Sequence, residues 1–423
     1  MSKRARVLVL VGLMTAAVAC SESVGGAGRG VGGEITVQVS GEREETAVYR
    51  AIKSAFEDDN RDVEVQLVEI AEKDAHLARL STAFAAGDPP DVFLVNFREY
   101  SQFVIRGAVS PIADHLETAG IDVADYYEPP IEAFTFDGAL QCMPQNVSSL
   151  VVYYNTALFD AAGVKAPHDG WDWDEFRAVA ERLTTDRVRG VGIEPNIIRV
   201  APFVWSNGGE ITDHPERPTR FTLNEPEART ALEFIVGLVH DGLVPTENEV
   251  AAQDLETRFA AGKLAMMLSS RRDTPSFREV AGLDFDVLPM PRADEQVGIL
   301  HSDAYCIAAQ SDAQDLAARF IGFATGETGQ SIAALGGRTV PSMVSISRSG
   351  AFLDPTQEPA HSEVFLDAIA NLRATPVLPT WPEIEDVTEE VLTKLFYEPG
   401  FTIDDAVEEI DVLTRPLFEE GSS

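Results

Sequence analysis

Cysteine is scarce in this sequence. There are three in 423 residues, Cys20, Cys142 and Cys306, too few and too scattered for a disulfide framework or a clustered zinc motif. Cys142 and Cys306 each fall in an apolar, strand-like run. That setting favours two separate buried thiols, with a disulfide in an oxidising compartment as the alternative. Basic residues are few as well, 33 Lys and Arg against 69 Asp and Glu, for a formal net charge of -36. This excludes nucleic acid as a partner, since phosphate binding needs a Lys/Arg surface that releases counterions, and it excludes a peripheral hold on anionic lipid. Catalytic signatures are missing too: none of the seven histidines stands in H-E-x-x-H, and no G-x-S-x-G elbow occurs. A secreted glycosidase needs only two carboxylates at a set separation, so spacing alone leaves that alternative open.

Long apolar runs are missing beyond the first residues. Lys3, Arg4 and Arg6 precede an apolar run from Val7 to Met14 and the small residues Ala16 to Ala19. A membrane span needs about 20 apolar residues, so residues 1–19 are predicted to be an export signal that is removed. Cleavage before Cys20 would leave a lipid-anchored cysteine on the outer face of the cytoplasmic membrane, the only membrane attachment expected. Ala17 stands where a lipobox prefers leucine, so ordinary secretory cleavage to a secreted or periplasmic protein is the alternative. Residues 20–33 are Gly-rich and predicted to be a flexible tether. Their Gly28, Gly30 and Gly33 have G-x-G-x-x-G spacing but precede a strand instead of following one, so they are no dinucleotide fingerprint. No cofactor and no metal is expected.

What remains is long enough for two cores. Ile35–Val39 alternates as a strand, Glu44–Glu57 carries a helical apolar stripe, Val63–Ile70 is a second strand and Lys73–Ala86 a second helix. Pro89 and Pro90 then forbid helix before the short strand Val92–Val95. This alternation predicts an α/β fold whose ligand site lies beyond the carboxyl ends of parallel strands. Ser40, Glu42, Asn96, Phe97 and Arg98 fall at those ends. From 138 to 158 the chain reads GALQCMPQNVSSLVVYYNTAL: a polar patch with Asn146 and Ser148 hands over to the buried strand Leu150–Tyr154.

That stretch, with the runs Ala86-Gly-Asp-Pro-Pro-Asp-Val92, Gly170-Trp-Asp-Trp-Asp-Glu-Phe176, Gly208-Gly-Glu210 and Phe259-Ala-Ala-Gly-Lys-Leu-Ala-Met266, resembles the extracellular solute-binding proteins of ABC importers, in particular the carbohydrate-binding group that includes the maltose-binding protein. The resemblance covers roughly residues 34 to 418. It implies a two-lobed periplasmic-binding-protein type II fold, each lobe a mainly parallel sheet flanked by helices, with a cleft between. The first lobe would comprise 34–124 and 297–325, the second 125–296 and 326–423. It further implies a monomer that captures a mono- or oligosaccharide by hinge closure and hands it to a membrane permease; a polyol, glycerophosphodiester, polyamine or peptide is the alternative guest.

A pyranose shows C–H faces and a hydroxyl rim. Trp205 and Trp381 could cover the faces, and Glu42, Asn96, Arg98, Asn146, Ser148, Arg271 and Asp303 could pair the hydroxyls, which otherwise cost about 1–3 kcal/mol each. The resemblance adds Gly208, Arg272, His301, Ser302 and Arg338 to the site. Arg271 and Arg272 stand where several relatives present a glycine and a stacking tryptophan, and a guanidinium there would suit an oxygen-rich or acidic rim such as a uronate.

Overall fold

The computed structural model describes residues 33–421; the export signal, Cys20 and all but the last residue of the tether lie outside the described residues. The alternating strand Gly33–Ser40 pairs in parallel with Val63–Ile70 on one side and Val92–Asn96 on the other. The last of these is buried along its apolar residues because helices cover both of its faces. The sheet continues through Asp303–Ala308, antiparallel to Val92–Asn96, and ends at Val109–Ser110. The predicted helices form at Arg43–Asp59 and Lys73–Ala86.

A second sheet has the order Phe285–Leu288, Val151–Asn155, Leu264–Ser269, Arg189–Gly192. The two-lobed α/β architecture is as expected, but this sheet is not mainly parallel. Val151–Asn155 runs antiparallel to both of its neighbours, and only Leu264–Ser269 and Arg189–Gly192 are parallel. The reason is the direction of arrival. Val151–Asn155 comes from the junction between the lobes and runs outward, whereas its neighbours run back and end at the junction.

The handovers also come later than expected. The Tyr126 hydroxyl donates to the Thr325 carbonyl (2.9 Å), Phe134 packs on Tyr100, and Met143–Pro144 pairs with Asp303–Ala308, so the chain leaves the first lobe at 144–150 and not at 125. The helix Glu327–Leu335 likewise stays with the first lobe: its Gln330 donates to the Gln145 carbonyl (2.7 Å), and the chain departs after Val340. At the junction the crossing segments lie side by side. The Ser148 N–H donates to the His301 carbonyl (2.8 Å), the His301 N–H to that of Ser148 (2.9 Å), and the Val147 N–H to that of Val340 (3.0 Å).

The two-residue strand Met143–Pro144 decides the fate of the thiols. Met143 lies opposite Tyr305 in the antiparallel pair, which sets Cys142 opposite Cys306, with Cα atoms 4.4 Å apart and the sulfurs bonded. The reading of two separate thiols is therefore corrected. Each cysteine does sit in an apolar run, as the sequence shows, but the pairing register that joins them is a long-range property.

Candidate functional site

A cavity of about 600 Å³ opens between the lobes. Its walls are built on strand ends. Ser40 ends the first strand and Gly41 and Glu42 follow it, Ala71 to Lys73 follow the second, and Asn96 ends the third with Arg98 and Glu99 after it. Glu194 and Arg199 follow Arg189–Gly192, and Ser270 and Arg272 follow Leu264–Ser269. The junction contributes Asn146, Ser148, His301 and Asp303, and Arg338 comes from the last crossing. Gly41 has φ +151, and a Cβ there would collide with the Glu45 side chain, so glycine lets the backbone turn into the cavity.

Asp303 organises the floor. Its carboxylate accepts from Asn96 Nδ2 (3.0 Å) and Asn146 Nδ2 (2.9 Å), while its own N–H donates to Asn146 Oδ1 (2.8 Å). Asn96 Oδ1 also caps the helix Phe97–Val104 by accepting from the Arg98 N–H. Each cationic side chain in the wall has an acidic neighbour: Lys73 with Glu99, Arg98 with Glu385 (2.6 Å), Arg199 with Glu194 (2.6 Å), Arg272 with Glu256 (2.9 Å) and Arg338 with Glu45 (3.0 Å). The Arg98–Glu385 pair joins the lobes directly. Burial raises the Glu45 carboxyl above its ordinary range against the pull of Arg338. Burial opposes the charge of Arg272, but Asp273, Glu256 and Glu194 outweigh it and hold the guanidinium above its usual value.

Of the residues expected at the site, Ser40, Glu42, Asn96, Arg98 and Asn146 line the cavity, as do Ser148, Arg272, His301, Asp303 and Arg338. The others do not, for identifiable reasons. Phe97 is fully buried between Asn96 and Arg98. Ser302 points away from the cavity between His301 and Asp303 and donates from Oγ to the Asn146 carbonyl (2.6 Å), as strand alternation dictates. Arg271 is buried over the rings of Phe352 and Phe365, donating to the Gly337 carbonyl (2.9 Å) and Ser362 Oγ (2.8 Å); burial pushes its pKa down to about 10. Trp205 lies in the second core with Arg373 over its ring. Gly208 turns the chain after the helix Ile197–Ser206 with φ +75.

Trp381 is entirely buried against Phe221 and Phe418. It acts through another residue: its indole N–H donates to Glu385 Oε1 (2.6 Å), and the other oxygen of that carboxylate holds Arg98. Among the described residues no Phe, Tyr or Trp lines the cavity, which overturns the expected stacking on Trp205 and Trp381. Sequence reasoning missed Lys73, Glu99, Glu194, Arg199 and Ser270, although the strand-end rule points to all but Glu99 and Arg199.

Among the described residues His301 Nε2 has no hydrogen-bond partner, and it is shielded from solvent. Burial, reinforced by Arg98, Arg199, Arg272 and Lys73, holds the imidazole well below its ordinary pKa. A depressed histidine favours the unfolded state once the unfolded ring protonates, so stability should fall as pH drops below about 6.5. His301→Gln is expected to flatten that fall in thermal melts taken between about pH 7 and pH 5; an unchanged slope would count against a neutral buried ring.

Two lobes with a polar cavity across their crossings define a solute-binding architecture. The chain belongs to the bacterial extracellular solute-binding protein family, which it matches over residues 51–359, and that family places it among exported proteins. Its fold matches an ABC substrate-binding protein of Listeria monocytogenes solved with cycloalternan, at 24% identity and TM-score 0.82 over 91% of this chain and 98% of that one. It also matches UgpB of Mycobacterium tuberculosis solved with glycerophosphocholine, at 20% identity and TM-score 0.80 over 92% and 99%. The diacetylchitobiose binding protein DasA of Streptomyces coelicolor is 22% identical over 75% of this chain and 74% of its own length. These relatives are binding proteins. Among the described residues no cluster of three potential ligands is placed to hold a metal ion, and no helix is long and apolar enough to cross a membrane.

Proposed function

We propose that this protein captures a carbohydrate between its lobes, closes on it without altering it, and presents it to the permease of an ABC importer. The observation that carries the reading is the cavity wall itself: carboxylates, guanidiniums, amides and hydroxyls converge from both lobes and from the crossings, the mixture a hydroxyl rim requires. A guest touching both lobes favours the closed form by its differential contacts. The exported chain works as a monomer held at the outer face of the cytoplasmic membrane through a lipid on Cys20.

Small-angle scattering is the suitable test. All four tryptophans are at 171, 173, 205 and 381, packed in the second core, so intrinsic fluorescence is a poor reporter of closure. Adding the right sugar should reduce the radius of gyration, and a wide saccharide panel with no response would sink the reading. A second guest class, a polyol or glycerophosphodiester, is favoured by one observation: among the described residues no Phe, Tyr or Trp lines the cavity to stack on a pyranose face.

A further inference from the structure

The cavity is uneven in what it leaves unpaired. Ser148 and His301 are directly opposite on the paired crossing segments, and both Ser148 Oγ and His301 Nε2 are buried without a partner among the described residues. On the second-lobe side stands Arg199, 7% exposed, whose Nε also has no partner among the described residues; Glu194 pairs with its Nη2. Arg272 spends Nε on Asp273 and Nη2 on Glu256, and among the described residues Nη1 has no partner. The carboxylates nearest these groups are engaged: Asp303 accepts from two asparagines and Glu194 from Arg199. On the first-lobe side the balance reverses. Among the described residues the Glu42 side chain makes no cap hydrogen bond at the helix start, and Glu99 Oε2 is buried and unpaired beside Lys73.

A cluster of unpaired groups, two of them guanidiniums that can only donate and two, Ser148 Oγ and His301 Nε2, that can donate, matches an anion. A neutral hydroxyl would satisfy one donor at a time, whereas a carboxylate or phosphate oxygen accepts several charge-assisted bonds at once. Burial is the main reason the His301 ring stays uncharged, but the cations that reinforce it, Arg98, Arg199, Arg272 and Lys73, attract such a group. We infer that the guest is an acidic sugar, a uronate or a sugar phosphate, whose anionic oxygens meet Arg199, Arg272, His301 and Ser148 while its hydroxyls face Glu42 and Glu99. This rests on the carbohydrate reading and gives the guest a charge and an orientation.

The test uses matched probes and the full mature protein: glucose with glucuronate and glucose 6-phosphate, galactose with galacturonate, and glycerol 3-phosphate and inorganic phosphate as anions without a sugar ring, each titrated by calorimetry. At least one acidic sugar should bind about tenfold or more tighter than its neutral partner, with the uronate and phosphate arms showing which anion is preferred. Arg272→Gln and Arg199→Gln should each reduce that ratio toward one. Arg272 is half-exposed, so its variant tests the assignment even where Arg199→Gln fails to fold. A neutral sugar binding as tightly as its acid overturns the inference and leaves the carbohydrate reading standing. Binding only of glycerol 3-phosphate or phosphate overturns both, binding of none overturns the inference while the wide saccharide panel decides the carbohydrate reading, and a preference for acid that survives both variants overturns the assignment of these residues.

Discussion

Replacing Cys142 and Cys306 together by serine should lower stability by about 3–5 kcal/mol, the range expected when a bridge closing a long loop is removed. The bond spans 164 residues of sequence, so the loop it closes contains the whole excursion into the second lobe up to the return crossing. Cutting it releases that length in the unfolded chain and places two hydroxyls in a fully buried apolar site. The bridge lies on the first-lobe side of the junction, one residue before Met143–Pro144 and inside Asp303–Ala308, where it pins the roots of two crossings and leaves their cleft-facing residues untouched. Thermal or urea unfolding with and without a reducing agent is the measurement. Wild type should fall to the level of the double variant on reduction, and the variant should ignore the reagent; a difference under about 1 kcal/mol would show that the bridge constrains little. Closure followed by scattering should persist in the variant, because the bond does not join the lobes.

Much of the first lobe is legible in local pattern. The alternation of Ile35–Val39, the stripe of the first helix and the prolines before Val92 each specify one element, and the strand-end rule then places Ser40, Glu42, Asn96 and Arg98 at the cavity. The six misplaced site residues share a different physics. Phe97 and Ser302 could have been set aside by alternation alone, since their neighbours face the cavity. Gly208 was carried by the resemblance to a turn that the structure leaves outside the cavity. Trp205, Trp381 and Arg271 could not be placed from sequence, because a large side chain near a cleft and one beneath it look alike until packing is known. Burial of Arg271 depends on Phe352, Phe365 and Ser362, which follow it by many residues, and that of Trp381 on Phe221 and Phe418. The disulfide and the first late handover belong to the same class: both follow from the pairing of a two-residue strand that no periodicity can reveal.

Asp303→Asn, a change of one atom, should be nearly as damaging as Asp303→Ala, costing about 2–4 kcal/mol of stability and weakening ligand binding severely. The reason is that both amides around Asp303 are locked. Asn96 Oδ1 is committed to the N–H and Nε–H of Arg98, and Asn146 Oδ1 to the N–H of Asp303, so each must present its NH2 to residue 303. The residue between two donors has to accept on both sides, and only a carboxylate does so. An asparagine there sets one NH2 against another and leaves a donor unpaired. The contacts involved tie the end of the third strand to both crossings over sequence separations of 207 and 157 residues, so the error is transmitted to Arg98, to its pairing with Glu385 across the lobes, and to the floor beside His301. Urea unfolding and calorimetry on the two variants measure it. An Asp303→Asn protein within about 0.5 kcal/mol of wild type, with Asp303→Ala clearly weaker, would mean that the amides reorient freely and that the floor is not held by this acceptor.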